Sequence, residues 1–61
     1  MRIIEEEDLV IVNNEKWVVD TMTGDDGFYA VHEDGREEWF SSDQIDKLIK
    51  YDNILNDYFE L

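Results

Sequence analysis

The chain has 61 residues, in which 17 Asp and Glu outnumber 5 Lys and Arg and give a net charge of −12. A chain of this length forms at most one domain, and its charge excludes nucleic acid and anionic membranes as direct ligands. There is no cysteine and only one histidine, so neither a disulfide framework nor the usual zinc ligand sets can form. We therefore expect one domain over residues 1–61 and no cofactor.

The composition predicts a folded protein. Hydrophobic residues make up 43% of the chain, and there is no proline or low-complexity tract, which favours a core over disorder. The N-terminal segment "MRIIEEEDLVIV" has no uninterrupted apolar run of the kind that a signal peptide or membrane span requires. We expect a cytoplasmic protein whose excess charge lies on its surface and whose partner is basic.

The first elements predicted in chain order form a β-hairpin. Residues Leu9 to Val12 and Lys16 to Met22 are rich in β-formers. They are joined by Asn13, Asn14 and Glu15, and asparagine tolerates left-handed backbone conformations. A polar loop over residues 23–27 then leads to the next strand.

The second predicted hairpin turns at Asp34-Gly35, between "FYAVHE" and "REEWF". A two-residue turn places Val31 opposite Glu38, whereas a three-residue turn with Gly35 in a bulge places Tyr29 opposite Trp39. We favour the three-residue turn because it pairs aromatic side chains across the strands. The predicted strands thus cover about residues 9–40.

The C-terminal third has a helical pattern. Ser41 followed by Gln44 is typical of a capping box, and the later apolar residues fall in one helical stripe: Ile45, Leu48, Ile49, Leu55, Tyr58 and Phe59. This predicts a helical segment over about residues 42–60, either continuous or broken near Asp52. Its apolar residues, which also include Ile54 and Leu61, either complete the core or pair two copies as a homodimer.

These elements predict an α+β fold: a small SH3-like β-barrel, or a curved antiparallel sheet of 4–5 strands, followed by a C-terminal helical segment. The short strands and the ending "WFSSDQI" resemble the SH3-like barrels, a class that includes Tudor and KOW modules. The resemblance covers about residues 9–45. The peptide-binding signature of SH3 domains is absent, so the resemblance implies a fold and no function.

Acidic residues are the first candidate site. A small domain needs a net charge of only about 2 to 8 to stay soluble, and carboxylates spread over one surface can replace the phosphates that a basic groove recognises. In size and charge the chain resembles small acidic phage-encoded inhibitors, such as anti-CRISPR and anti-restriction proteins. The resemblance implies an inhibitor that occupies the basic groove of a nucleic-acid-binding host enzyme. The residues expected to bind this partner are Asp25, Asp26, Glu33, Asp34, Glu37, Glu38, Trp39, Asp43 and Asp46.

An aromatic pocket is the alternative site. Trp17, Tyr29, Trp39 and Phe40 would enclose a cationic side chain if the fold brought them together, as in Tudor-like adaptors that bind cationic peptides. No arrangement of residues indicates catalysis, because His32 has no cysteine to activate and Ser41 and Ser42 are better explained as helix caps. We expect a binding protein rather than an enzyme, without a metal site.

Overall fold

The computed structural model describes residues 4–60, and the side chain of residue 60 is not described. These residues form an antiparallel sheet of six strands: β1 (Leu9–Val12), β2 (Glu15–Met22), β3 (Gly27–His32), β4 (Glu37–Ser41), β5 (Lys47–Asp52) and β6 (Asp57–Glu60). The strands lie in the order β4-β3-β2-β1-β5-β6 across the sheet. Residues 4–60 contain no α-helix, and the only helical turn among them is a 3-10 turn at Ser42–Gln44. The expected α+β class is therefore wrong, and the fold is all-β.

The first hairpin confirms the predicted strands except at Glu15, which was expected in the turn and is the first residue of β2. Val12 lies opposite Glu15, so Asn13 and Asn14 alone form the turn, with φ angles of 52° and 66°. Two successive left-handed residues match the twist of a two-residue hairpin, and asparagine adopts this conformation at low cost. The two asparagines thus fix the register of β1 against β2.

The second hairpin confirms the three-residue turn. Tyr29 lies opposite Trp39 and Val31 opposite Glu37. Gly35 has a φ of 96° and donates its N–H to the His32 carbonyl at 2.9 Å. A residue with a side chain would be strained at this φ, so the glycine sets the register of β3 against β4.

The predicted C-terminal helix is not present. Residues Lys47–Asp52 form β5, which pairs with β1, and residues Asp57–Glu60 form β6, which pairs with β5. Leu48 and Ile49 are adjacent in the sequence, so their side chains lie on opposite faces of a strand. The same two residues also fit the apolar stripe of a helix, which is why the sequence pattern predicted one. β-branched and aromatic residues favour the extended form here, and the expected break near Asp52 is the start of the β5–β6 turn.

The capping pattern at Ser41 serves the 3-10 turn. The Gln44 side-chain oxygen accepts the Ser41 N–H at 2.9 Å, but the helical turn ends after three residues. The chain then crosses the core. At the start of the crossing the Ser42 N–H donates to the Asp26 carbonyl near the end of β4, and at its finish the Asp46 N–H donates to the Ile11 carbonyl beside β5. Ile45 lies on this crossing and packs against the core.

The core occupies one face of the sheet. Its members are Ile4, Val10, Val12, Trp17, Val19, Phe28, Ala30 and Phe40. The Trp17 ring meets the Phe40 ring edge to face, with centroids 4.9 Å apart. Leu48 packs at its margin, but Leu55 is 71% exposed and Phe59 is 46% exposed. The C-terminal segment therefore contributes to the core through Ile45 and Leu48 and not through Leu55 or Phe59. Leu61 lies outside the described residues.

Candidate functional site

The antiparallel topology gives the sheet two ends of different charge. One end, which we call the acidic end, collects the loop before β1, the β2–β3 turn, the first residues after β4 and the β5–β6 turn. The opposite end carries the two predicted hairpin turns and the start of β5. Lys16, Arg36 and Lys47 all lie near the opposite end. Within residues 4–60, Lys50 is the only cationic residue close to the acidic end.

Carboxylates from separate parts of the chain meet at the acidic end. They are Glu5, Glu6, Glu7, Asp8, Asp20, Asp25, Asp26, Asp43, Asp52 and Asp57. Apart from Asp8 and Asp52, all of these residues are exposed. Because they come from different loops, their grouping depends on the fold rather than on any one stretch of sequence.

Asp8 anchors this end to the sheet. It is 1% exposed, and its carboxylate accepts hydrogen bonds from the Glu5 N–H at 2.8 Å, the Tyr51 N–H at 3.1 Å and Lys50 Nζ at 2.7 Å. Lys50 Nζ also lies 3.0 Å from Glu5. Burial by itself lowers the pKa of Lys50, but the hydrogen bonds to Asp8 and Glu5 outweigh it and the pKa is raised. The acidic run before β1 is thus held against β5.

A pocket of about 490 Å³ opens at the acidic end. Its wall combines residues 5–8 with Ile4, Met22, Tyr51 and Asn53. The Tyr58 hydroxyl donates to the Glu7 carbonyl at 3.2 Å, and the pKa of Tyr58 is raised by burial and by the nearby Tyr51, Glu7 and Asp8. An ammonium or guanidinium group is the chemistry that suits such a wall.

Three of the predicted partner-binding residues lie at the acidic end. Asp26 accepts a hydrogen bond from the Ser42 hydroxyl at 2.7 Å, which joins the β2–β3 turn to the 3-10 turn. Asp25 accepts from the Thr23 hydroxyl, and Asp43 accepts from the Ser41 hydroxyl. The fold therefore brings Asp25, Asp26 and Asp43 together and orders their carboxylates.

Three other predicted residues, Glu33, Asp34 and Asp46, lie at the opposite end. Asp34 accepts from the N–H and Nε of Arg36 at 3.0 and 2.8 Å, and the backbone hydrogen bond from Arg36, followed by the contacts with its guanidinium, lowers the Asp34 pKa. Asp46 accepts from the Asn13 N–H at 3.2 Å. Asp34 and Asp46 therefore fasten turns.

The remaining predicted residues, Glu37, Glu38 and Trp39, lie on β4 at the edge of the sheet. Glu38 is 3.9 Å from Arg36, whereas Glu37 has no hydrogen-bond or ion-pair partner within residues 4–60. The Trp39 indole N–H donates to the Thr23 hydroxyl at 3.3 Å. Trp39 thus extends towards the acidic end, and Glu37 towards the opposite end.

The aromatic residues of the alternative site are divided between the two faces of the sheet. Trp17 and Phe40 are buried in the core. Tyr29 and Trp39, paired across β3 and β4, are 44% and 41% exposed on the outer face. The exposed aromatic surface is therefore a pair of side chains on a sheet and not a pocket built from all four.

Sequence reasoning alone missed the grouping of Glu6, Glu7, Asp52 and Asp57 with the predicted residues. The acidic run before β1 was visible, but its place beside the β5–β6 turn depends on β5 pairing with β1.

In the described part of the chain, no group of His, Cys, Asp and Glu is arranged to hold a metal ion. None of the described residues belongs to a helix with the length and apolar character needed to cross a bilayer.

Comparisons with protein-family models, with curated proteins and with solved structures give no significant match.

Proposed function

We propose that this protein is a small acidic inhibitor that occupies the basic groove of a nucleic-acid-binding protein by imitating the charge of nucleic acid. The observation that carries the proposal is the charge separation along the sheet, which gathers carboxylates from several loops at one end. Targets of this chemistry include CRISPR effectors, restriction enzymes and repair enzymes. Such enzymes hold their substrate with arrays of Lys and Arg.

The order of the carboxylates supports this proposal. Asp25, Asp26 and Asp43 are held by hydroxyl groups, and Lys50 holds Glu5 and Asp8, the two ends of the acidic run that contains Glu6 and Glu7. Ordered charges lose little conformational freedom when a partner binds them, which increases the affinity gained from each contact. Fixed carboxylates with few neighbouring cations also attract a basic partner over longer distances and raise its association rate.

The exposed pair of Tyr29 and Trp39 favours a second candidate, an adaptor that binds a cationic peptide. Their rings offer a flat aromatic surface against which a Lys or Arg side chain can stack. The two candidates differ in what they require. The inhibitor depends on the acidic end and is sensitive to salt, whereas the adaptor depends on two aromatic side chains.

Affinity capture from a bacterial lysate tests the proposal, with the retained proteins identified by mass spectrometry. Four baits are compared: the wild-type protein, E6Q/E7Q at the acidic end, E33Q/E37Q elsewhere with the same change in charge, and Tyr29→Ala on the outer face. We expect the wild type and E33Q/E37Q to retain a nucleic-acid-binding enzyme that E6Q/E7Q loses, and added duplex DNA to displace it. Retention that survives E6Q/E7Q and DNA but fails in a Tyr29→Ala variant would support the adaptor and reject the inhibitor.

A further inference from the structure

The β5–β6 turn exposes apolar residues where polar ones are usual. Ile54 is 93% exposed and Leu55 is 71% exposed, although turns normally carry Gly, Asn, Asp or Ser. The turn is nevertheless well ordered, since Asp52 accepts the N–H groups of Ile54 and Leu55 at 2.8 and 3.1 Å. We call Asp52, Ile54, Leu55 and Asp57 the hairpin tip. An ordered turn that holds two large apolar side chains in water is a feature of a binding surface.

The hairpin tip also contains an unfavourable charge pair. Asp52 lies directly opposite Asp57 in the register of β5 and β6. Like charges in directly opposed positions destabilise a hairpin. A cation supplied from outside the tip would remove this repulsion, so the tip suits a site that combines an apolar surface with a positive charge.

The outer face of the same protein offers such a site. A groove of about 410 Å³, which we call the outer groove, is lined by Leu9, Lys16, Val18, Val31, His32 and Glu33. Its size lies within the range of about 300 to 1,000 Å³ typical of binding pockets. Leu9, Val18 and Val31 face one another across β1, β2 and β3, and they form an apolar floor that nothing in residues 4–60 covers.

Lys16 gives the outer groove its charge. In a chain with 17 acidic residues, Lys16 forms no ion pair within residues 4–60, whereas Arg36 and Lys50 each contact two or more carboxylates. Glu33 also lines the groove and is exposed like Lys16, but the two side chains form no ion pair with each other. An apolar floor beside an unused lysine suits an occupant that is apolar and acidic, which is the chemistry of the hairpin tip.

We propose that two copies of this chain dock reciprocally, with the hairpin tip of each copy in the outer groove of the other and Lys16 between Asp52 and Asp57. Each copy supplies one tip and one groove, so the arrangement closes as a two-fold dimer. The net charge of −12 on each copy opposes association, but charges separated by more than about 8 Å are screened at physiological salt. Added salt therefore strengthens the dimer at first by screening the overall repulsion.

Sedimentation velocity at protein concentrations from about 10 µM to about 1 mM in physiological salt tests this inference. We expect the wild-type protein to pass from monomer to dimer across this range. L55N should raise the dissociation constant at least about tenfold, equivalent to about 1.4 kcal/mol, while Y29Q on the same outer face should not. A wild-type protein that stays monomeric throughout, or a dimer that L55N leaves intact, would overturn the inference.

A charge exchange tests the contact itself. K16E should abolish the dimer, and K16E/D57K should restore it, because the two charges are exchanged across the same contact. The matched control K16E/D25K has the same net charge but places the new lysine in the β2–β3 turn, so it should remain monomeric. Equal behaviour of the two double variants would overturn the assignment of Lys16 to the tip. Unchanged circular dichroism and thermal transitions establish that each variant is folded.

Discussion

Lys50 Nζ and Asp8 Oδ2 form an ion pair at 2.7 Å in which the Asp8 side chain is 2% exposed and the Lys50 side chain 12%. The pair joins residues that are 42 positions apart and fastens the acidic run before β1 to β5. A buried ion pair is a weak source of net stability, but the loss of one partner leaves an uncompensated charge. The acidic end thus depends on one lysine for its position.

Removal of the lysine should destabilise the protein more than removal of the carboxylate charge. K50M leaves the buried Asp8 without a counter-ion, and we expect it to lower the free energy of unfolding by about 3 to 5 kcal/mol. D8N keeps the side-chain shape while Lys50 retains Glu5, so its cost should be about 1 to 3 kcal/mol. Urea unfolding curves measure both variants. K16M, at an exposed lysine, is the control and should change stability by less than about 0.5 kcal/mol.

Stability should fall in alkali through Lys50 and Tyr58. The pKa of Lys50 is raised above its usual 10.5, and that of Tyr58 is raised above its usual 10.0. A group whose pKa is raised by folding stabilises the protein fully below its unfolded pKa, and this contribution is lost as the pH rises through its folded pKa. The free energy of unfolding should therefore decrease above about pH 10.

Urea unfolding at pH 8, 10 and 11 measures this dependence. Y58F removes one of the two titrating groups, so its free energy of unfolding should decrease less steeply with rising pH than that of the wild type. A free energy of unfolding that stays constant up to pH 11 would show that neither group is held as the structure indicates.

The left-handed conformation of Asn14 predicts that one small substitution destabilises the protein and that another does not. N14A places an ordinary L-residue at a φ of 66°, which should cost about 1 to 2 kcal/mol. N14G accepts this conformation without strain and should keep the stability within about 0.5 kcal/mol of the wild type. Thermal unfolding compares the two, and equal stability would indicate that the turn does not have the left-handed geometry.

Gly27 provides the space in which Trp39 lies. A Cβ at this position would be 2.1 Å from Cζ2 of Trp39, so G27A should displace the indole and cost about 1 to 3 kcal/mol. W39V removes the obstacle, and G27A should then cost much less in the W39V background than in the wild type. A double-mutant cycle measures this coupling, and strictly additive effects would contradict the contact.

The sequence predicted local features well where a single residue type decides the backbone. Asn13, Asn14 and Gly35 set two hairpins, and the register between Tyr29 and Trp39 followed from pairing aromatic side chains. The C-terminal segment could not be predicted in this way because Leu48, Ile49 and Leu55 satisfy a helical stripe as well as a strand. The pairing of β5 with β1, a contact distant in sequence, decided between them.

The candidate site was visible as composition but not as geometry. Asp25, Asp26, Asp34 and Asp46 were equally plausible in the sequence: the first three are acids in predicted turns, and Asp46 was expected on the polar side of the C-terminal helical segment. The fold uses Asp34 and Asp46 to hold the opposite end and places Asp25 and Asp26 at the acidic end. Only the strand order separates the two groups, and this order depends on long-range pairing.

The most direct test of charge mimicry is an equilibrium competition between this protein and duplex DNA for the purified enzyme that affinity capture identifies. We predict that the two exclude one another and that raising the salt from 50 to 200 mM weakens both complexes steeply, as expected when a basic groove exchanges its counter-ions. E6Q/E7Q should weaken binding at least about tenfold more than E33Q/E37Q. A ternary complex with DNA, or an affinity indifferent to both salt and E6Q/E7Q, would contradict the proposed function.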